Sequence, residues 1–210
     1  MKPPQPKKIP KIHTAHGDER IDDYYWLRDD TRKNPEVISY LEAENKYLES
    51  WFESKNDCRK EIYNELVSFI PPHEVSMKVK YGDYYYFSEI SSDQQYKTYY
   101  REINGNKELV LDVNELAKDL DYFNVASITP SPNNHYIAYA EDLSGRREYN
   151  IKIKNLETGQ IIDESIQRSS GSVVWNKNND TIYYALKDPV TLIENKVFKH
   201  KVGTDTKEDI

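Results

Sequence analysis

A turn-and-strand segment, SPNNHYIAYAED at residues 131–142, returns 45 residues later within KNNDTIYYALKD at residues 177–188. The offset aligns an Asn-Asn pair, a branched residue and an alanine, at Asn133-Asn134 and Asn178-Asn179, Ile137 and Ile182, and Ala140 and Ala185. A period of about 40–50 residues with about four short strands per unit is typical of β-propeller blades. The repeat therefore predicts stacked blades, with a generic antiparallel meander as the alternative.

Short runs rich in Tyr and branched residues surround this repeat. Asn104-Gly105 is a strong hairpin signal, and residues 157–159 form a second turn signal. The last set has only two strands, whereas propellers close with about 4–8 blades. The sequence thus predicts a mainly β fold with an N-terminal helical segment and an incomplete β-propeller of two to three blades. The predicted strands are 84–90, 96–103, 108–112, 136–140, 149–156, 161–166, 181–186 and 197–202.

The N-terminal part has a sequence pattern that predicts no blades. Residues 1–33 are expected to be irregular and partly extended. Asn34 is a good N-cap and Pro35 suits the first helical position, so a helix is predicted over 35–70, with a possible break at 53–57. Its apolar stripe requires a partner surface. We expect two domains, 1–75 and 76–210. The stripe comprises Ile38, Leu41, Leu48, Phe52, Ile62 and Leu66.

Composition excludes several classes of function. The net charge of -7 argues against nucleic-acid and membrane-surface binding, which need clustered Lys and Arg. No apolar run reaches the roughly 18 residues of a membrane span, and the first residues of this sequence contain no apolar h-region typical of a signal peptide. A single Cys58 excludes an internal disulfide. A cytoplasmic protein is therefore expected. The only basic cluster, Lys2, Lys7, Lys8 and Lys11, alternates with prolines and indicates an extended leader.

The chain offers no complete catalytic constellation. No two of its seven glycines are four residues apart, so the Gly-x-Ser-x-Gly elbow of α/β-hydrolases is absent. Ser172 is interpreted as a loop residue and Cys58 as a helix residue without a His partner. No cofactor is expected. A weak metal candidate, in a segment expected to be irregular, comprises His13, His16, Asp18 and Glu19, and no metal is predicted there.

Two acidic pairs and one basic pair are the remaining candidate site residues. Asp22-Asp23 and Asp29-Asp30 are interpreted as structural partners of Arg20 and Arg28. Arg146-Arg147 follows Gly145 at the predicted tip between two strands of one blade. This pair is either a solvated hairpin tip or a rim site that binds acids of a partner domain, a role to which Arg is suited.

Three stretches together resemble the prolyl oligopeptidase family of serine peptidases: HGDERIDDYYWLRDD at 16–30, AEDLSGRREYNIKIKNLETG at 140–159 and DPVTL at 188–192. The similarity runs from about Ile9 to Thr204. The version Trp26-Leu27-Arg28-Asp29 favours the oligopeptidase B branch, which cleaves short peptides after Lys or Arg.

The resemblance implies a seven-bladed propeller that restricts substrates by size. It also implies that residues 1–75 pack on a C-terminal α/β-hydrolase domain, which holds the catalytic Ser, Asp and His. No position here matches a catalytic residue, so the chain alone is expected to be inactive. The resemblance places Arg147, with Arg146, at an interdomain contact. Asp121 is the nearest match to its acidic partner, which is commonly Glu in the family.

Two alternatives stay open. The chain could be a stand-alone β-repeat module that binds peptides or proteins by strand addition. It could also be one half of a split peptidase, with the remaining blades and the catalytic domain on a separate chain. A reading frame downstream of Ile210 that encodes further blades and a Gly-x-Ser-x-Gly elbow would distinguish these alternatives from a single longer enzyme.

Overall fold

The computed structural model describes residues 2–210, and the protein is mainly β with an N-terminal helical segment. The chain divides into two compact units, one ending at Ile70 and the other spanning Pro71–Ile210. The division coincides with the Pro71-Pro72 pair, where proline prevents a helix from continuing.

The first unit opens with a hairpin that the sequence did not predict. Strand β1 (Lys11–Ala15) pairs with β2 (Asp18–Asp22), and a short 3-10 helix follows at Tyr25–Leu27. The two turn residues, His16 and Gly17, have φ of 55° and 80°. A two-residue turn of this kind needs left-handed residues, and His is a less usual first residue than Asn or Asp. The expectation of an irregular segment was therefore wrong here.

A carboxylate-centred turn connects this hairpin region to the helices. Asp29 accepts hydrogen bonds from the Thr31 hydroxyl at 2.7 Å and from the backbone N–H groups of Lys33 and Asn34, both at 2.7 Å. The Thr31 hydroxyl and the Asn34 N–H lower the pKa of Asp29 to about 2. Asp29 therefore remains ionised at neutral pH and fixes the position of the helix N-cap.

The helical segment is broken where the sequence suggested. Helix α1 (Pro35–Phe52) is followed by a 3-10 turn at Glu53–Lys55 and by α2 (Asn56–Ser68). The Asn34 side chain accepts from the Glu36 N–H at 3.0 Å, which confirms the predicted N-cap. Val37 is the only buried residue of α1. Five residues of the predicted apolar stripe are exposed in this unit, at Ile38, Leu41, Leu48, Ile62 and Leu66, and Phe52 is half-buried.

The second unit begins with a five-stranded antiparallel sheet, which we call blade 1. Its strands are ordered β3-β5-β6-β7, and β4 also pairs with β5. Asn104 and Gly105, with φ of 50° and 79°, form the hairpin turn that the sequence predicts. The strands are β3 (His73–Val75), β4 (Val79–Tyr81), β5 (Tyr84–Ser91), β6 (Thr98–Ile103) and β7 (Asn106–Asp112).

A short helix, α3 (Val113–Leu116), leads to a six-stranded antiparallel sheet in chain order. Its strands are β8 (Asn124–Pro130), β9 (Tyr136–Asp142), β10 (Tyr149–Asn155), β11 (Ile161–Trp175), β12 (Thr181–Lys187) and β13 (Glu194–Lys201).

Strand β11 belongs to two blades. Its first part pairs with β10, and its second part pairs with β12, the register passing from Tyr149↔Ser169 to Ser169↔Leu186. We call β8, β9, β10 and residues 161–168 blade 2, and residues 169–175, β12 and β13 blade 3. The sequence predicted only residues 161–166 as strand, because polar residues 167–172 interrupt the apolar pattern.

The strand changes direction between its two parts. Arg168 and Gly171 have φ of 58° and 93°. Ser169 is fully buried, and its hydroxyl donates to the Tyr149 carbonyl at 2.9 Å. A Cβ added at Gly171 would lie 2.8 Å from the Tyr149 ring, so a glycine is needed where blade 2 becomes blade 3.

The hydrophobic core lies between blades. Side chains alternate across a strand, so β9 sends Ile137 and Tyr139 to one cluster and Ala138 and Ala140 to another. All four are at most 1% exposed. One cluster packs blade 2 against blade 1, through Val110, Leu111, Val113 and Phe123. The other packs it against blade 3, through Ile151, Ile153, Ile166, Val173, Trp175, Ile182 and Tyr184.

The outer faces of blades 1 and 3 are not covered by another blade in this chain. Neither sheet closes on itself, and apolar side chains are exposed on blade 1 at Leu109 and on blade 3 at Val174 and Val197. Val197 is 74% exposed although it lies within a strand. Open faces of this kind agree with an incomplete propeller and not with a self-contained sandwich.

Replacing Gly171 by alanine is expected to destabilise the 210-residue chain by about 2 kcal/mol or more, through backbone strain and overpacking. Gly159→Ala is the matched control, because Gly159 has φ of 74° and no atom within 4 Å of an added Cβ. We expect the control to cost about 1 kcal/mol, the backbone contribution alone. Urea unfolding measures both, and equal losses would refute the contact with Tyr149.

Candidate functional site

The blades present two different ends. Because the strands are antiparallel and in chain order, one end carries the connections 143–148 and 188–193, and we call it the loop end. The opposite end, the turn end, carries the tight connections 131–135, 156–160 and 176–180. Adjacent blades are linked at both ends: Lys187 Nζ donates to the Arg147 carbonyl at 2.9 Å, and the Asn133 N–H donates to Asn179 Oδ1 at 2.8 Å.

Arg146 and Arg147 lie at the loop end, on a connection built around Asp142. The Asp142 carboxylate is 0% exposed and accepts from the backbone N–H groups of Ser144 at 2.8 Å, Gly145 at 3.0 Å and Arg147 at 2.7 Å. Burial would raise the pKa of Asp142, but the backbone N–H groups of Ser144 and Arg147 outweigh it and lower the pKa below 3.8. The ionised carboxylate therefore holds Arg147 in a left-handed conformation.

Asp142 itself was missed by the sequence analysis, although a signal was present. An Asp with Ser two residues later and Gly three residues later is typical of a turn in which the carboxylate accepts from the following backbone N–H groups. In this chain that pattern is Asp142, Ser144 and Gly145.

The structure places the three predicted contact residues at the same end but does not pair them. Arg146, Arg147 and Asp121 are exposed, and within residues 2–210 none of the three forms an ion pair. The segment that contains Asp121 nevertheless reaches the arginine loop, because a Cβ added at Gly145 would lie 3.6 Å from the Tyr122 ring. The arginines are thus displayed on a rigid loop with their guanidinium groups available to solvent or to a partner.

A polar cleft of about 300 Å³ lies beside this loop at the junction of blades 2 and 3. It contains three cations and two acids, and Arg168 and Glu148 are paired at 3.4 Å. Nothing in it resembles a nucleophile with a base. Its lining residues are Glu148, Gln167, Arg168, Leu186, Lys187, Asp188, Pro189, Asn195 and Lys196.

Within residues 2–210, the residues considered for catalysis or metal binding are not brought together into one site. Ser172 is an exposed residue of β11, not of a strand-to-helix elbow, and Cys58 is exposed on α2. His13 packs on the Tyr25 ring at 4.8 Å. Among residues 2–210 no three His, Cys, Asp or Glu side chains are grouped as metal ligands.

The acidic pairs near the N-terminus only partly follow the prediction. Arg28 pairs with Asp30 at 3.3 Å, as expected, whereas Arg20 pairs with Asp18 at 3.0 Å and not with Asp22-Asp23. Asp22 and Asp23 have other partners: Asp22 accepts from the Tyr24 backbone N–H at 2.8 Å, and Asp23 lies 3.7 Å from Lys8 Nζ. No helix in residues 2–210 has the length and hydrophobicity needed to cross a bilayer.

Open propeller blades preceded by a helical segment define the class of this protein, and comparisons with known proteins identify the family. Residues 3–210 match the family described as prolyl oligopeptidase, N-terminal beta-propeller domain. The chain therefore belongs to the prolyl oligopeptidase family, and it corresponds to the N-terminal part of its members.

Individual relatives agree with this assignment. The chain is 34% identical to "Protease 2" of Moraxella lacunata and 33% identical to "Dipeptidyl aminopeptidase BI" of Pseudoxanthomonas mexicana, over 100% and 99% of its length. It spans 31% of each relative. Oligopeptidase B from Leishmania major has a similar structure over the whole chain, with a TM-score of 0.90, 29% identity and 32% of that protein covered.

Replacing Asp142 by Asn is expected to destabilise the chain by about 1.5–3 kcal/mol at pH 7, since hydrogen bonds to an ionised acceptor are lost. The pKa of Asp142 is lowered in the folded state, so this stabilisation is present above pH 3.8 and is lost as the pH falls through the folded pKa. The difference between the variant and the parent should therefore shrink in acid.

Urea unfolding at pH 7 and at acid pH measures this difference. Asp93→Asn is the control, because Asp93 is exposed and its carboxylate accepts no hydrogen bond within residues 2–210. An Asp142→Asn variant that is as stable as the Asp93→Asn variant would refute the structural role of the buried carboxylate.

Proposed function

We propose that this chain is the N-terminal segment and first blades of an oligopeptidase B-like serine peptidase that hydrolyses short peptides after Lys or Arg. The propeller would limit the size of the peptides that reach the active site. The catalytic Ser, Asp and His would lie on a C-terminal α/β-hydrolase domain, in cis or on a separate chain. The chain alone would then be inactive, and the complete enzyme would act in the cytoplasm.

The observation that carries this proposal is the match along the whole chain to proteins three times as long. The chain covers about a third of oligopeptidase B from Leishmania major and of its curated relatives. The exposed apolar stripe on α1 and α2 supports a missing partner, because isolated helices gain most of their stability by burying such a face. A hydrolase domain would supply that surface.

Cleavage after Lys or Arg rests on a narrower basis. Trp26-Leu27-Arg28-Asp29 resembles the oligopeptidase B branch, and the TM-score of 0.90 belongs to a structure of that enzyme. One relative is named a dipeptidyl aminopeptidase, so release of dipeptides from a free N-terminus is the second candidate activity. Substrates with free and blocked N-termini distinguish the two activities in the complete enzyme.

The loop end supports a contact with the proposed hydrolase domain. Asp142 accepts from the Arg147 backbone N–H and so fixes the backbone from which the exposed guanidinium extends. An Arg side chain is suited to paired hydrogen bonds with a carboxylate. Arg147, with Arg146, would bind an acid of the hydrolase domain across the cleft. Asp121, at the same end, would be part of this rim.

The purified 210-residue chain is expected to show no hydrolysis of Arg or Lys ester and amide substrates, because it lacks an activated serine. Initial rates with and without a serine-reactive inhibitor measure this. Turnover that the inhibitor abolishes would overturn the proposed division of labour. The same substrates tested with the chain extended by its downstream reading frame provide the positive control.

Reversing the charge in Arg147→Glu is expected to lower kcat/KM of the complete enzyme roughly tenfold, the effect of about 1.4 kcal/mol, by repelling the proposed acidic partner. Lys177→Glu is the control, since Lys177 is an exposed cation at the turn end. Steady-state kinetics at low and high salt measure both variants. Equal kinetics for the two would show that Arg147 is a solvated tip.

A further inference from the structure

A buried ionic cluster at the blade 2–blade 3 junction has no role in the proposed reaction. His200, on β13, is 0% exposed, and its two ring nitrogens contact two different carboxylates. Nε2 lies 2.8 Å from Asp163 Oδ2, and Nδ1 lies 2.7 Å from Asp209 Oδ1. The side chains of Asp163 and Asp209 are only 4% and 1% exposed. The three residues come from β11, β13 and the C-terminal turn.

The geometry constrains the protonation of His200. A neutral imidazole has one N–H donor and one bare nitrogen, whereas an ionised carboxylate only accepts. Two ionised carboxylates, one on each nitrogen, therefore require an imidazolium. If His200 were neutral, its bare nitrogen would face a carboxylate oxygen with no proton between them, and two buried acceptors in contact are costly.

Both carboxylates also accept hydrogen bonds from other donors. Asp163 accepts from the N–H and hydroxyl of Ser165, at 3.0 and 2.7 Å, and from the Gly203 N–H at 2.6 Å. Asp209 accepts from the Tyr184 hydroxyl at 2.7 Å. Burial would raise the pKa of Asp163, but the hydrogen bonds from His200 and Ser165 outweigh it and lower the pKa.

The cluster also fixes the C-terminal turn to the sheet. The turn leaves β13, passes through a 3-10 helix at Thr206–Glu208 and returns, so that the Ile210 N–H donates to the Lys199 carbonyl at 3.2 Å. It is anchored by the Asp209 side chain, which contacts His200 and Tyr184, and by the Gly203 backbone N–H, which donates to Asp163. Both anchors converge on the same imidazolium centre.

We propose that Asp163, His200 and Asp209 form a pH-sensitive clasp, which holds residues 203–210 on the blade 2–blade 3 junction while His200 is an imidazolium and releases them at alkaline pH. The clasp does not depend on the proposed peptidase function. It would set how firmly residues 203–210 are held on the blade 2–blade 3 junction.

The direction of the pH effect follows from the groups around His200. Burial lowers the pKa of His200, but the hydrogen bonds to Asp163 and Asp209 outweigh it, and the pKa lies above 6.5. A raised pKa means that the stabilisation is complete below the unfolded value and is lost as pH rises through the folded value. The clasp is therefore closed while His200 carries both ring protons, and it opens as the pH rises through the pKa of His200 in the folded chain.

The other ionisable groups near His200 do not reverse the direction of this pH effect. Burial and Asp209 raise the pKa of Tyr184 above 10, so its hydroxyl remains a donor. Lys199 and Lys201 precede and follow His200 on β13, and strand alternation turns them to the opposite face. The titration that opens the clasp is therefore that of His200.

The first test reads the protonation state directly. In nitrogen-15 NMR spectra of the histidine side chains of the 210-residue chain, we expect both ring nitrogens of His200 to carry protons at pH 7.5. The four exposed histidines, His13, His16, His73 and His135, provide the internal comparison. A His200 ring with one proton at that pH, or one that titrates together with the exposed rings, would overturn the proposal.

The second test reads the opening of the turn. Amide hydrogen exchange of Gly203 and Ile210, corrected for the intrinsic effect of pH, should accelerate in alkali. Asp209→Asn removes one acid from the clasp, so the midpoint of this acceleration should move to lower pH. Glu208→Gln is the matched control, because it removes the same charge from the exposed neighbouring position. Equal midpoints for the two variants would refute the clasp.

Discussion

Strand β9 is buried on both faces, and the second unit depends on that constraint. Ile137 and Tyr139 pack against blade 1, while Ala138 and Ala140 pack against blade 3. The small alanines allow Trp175 and the isoleucines of β10 to fill the second interface. Because each blade has two such faces, blades 1 and 3 each retain one uncovered face in this chain. The exposed side chains Leu109, Val174 and Val197 follow directly from this geometry.

Much of the fold could be predicted because its signals are local and repeated. The 45-residue repeat located the blades, Asn104-Gly105 located a hairpin, and Asn34-Pro35 located the start of α1. The passage of β11 from one blade to the next could not be predicted, because its polar centre breaks the strand pattern. The His16-Gly17 hairpin was missed because His is an unusual first turn residue.

The candidate sites were less predictable than the fold, since they are made by residues distant in sequence. Arg147 was singled out, but not the buried Asp142 that fixes its backbone. The contacts of His200 with Asp163 and Asp209 join three segments that only strand pairing brings together. Asp142 and Asp163 have the same physical role. Each buried carboxylate accepts hydrogen bonds from backbone N–H groups and thereby makes a connection between strands rigid. One displays arginines at the loop end, and the other closes the turn end.

The central claim is that these blades belong to a longer serine peptidase, and the size of the native protein tests it most directly. Extracts of the source cells would be labelled with a serine-reactive probe and blotted with an antibody against residues 2–210. The chain spans 31% of its relatives, so the account predicts a labelled band of about three times its mass. An unlabelled band at the mass of the 210-residue chain, with no labelled partner that co-purifies, would contradict it.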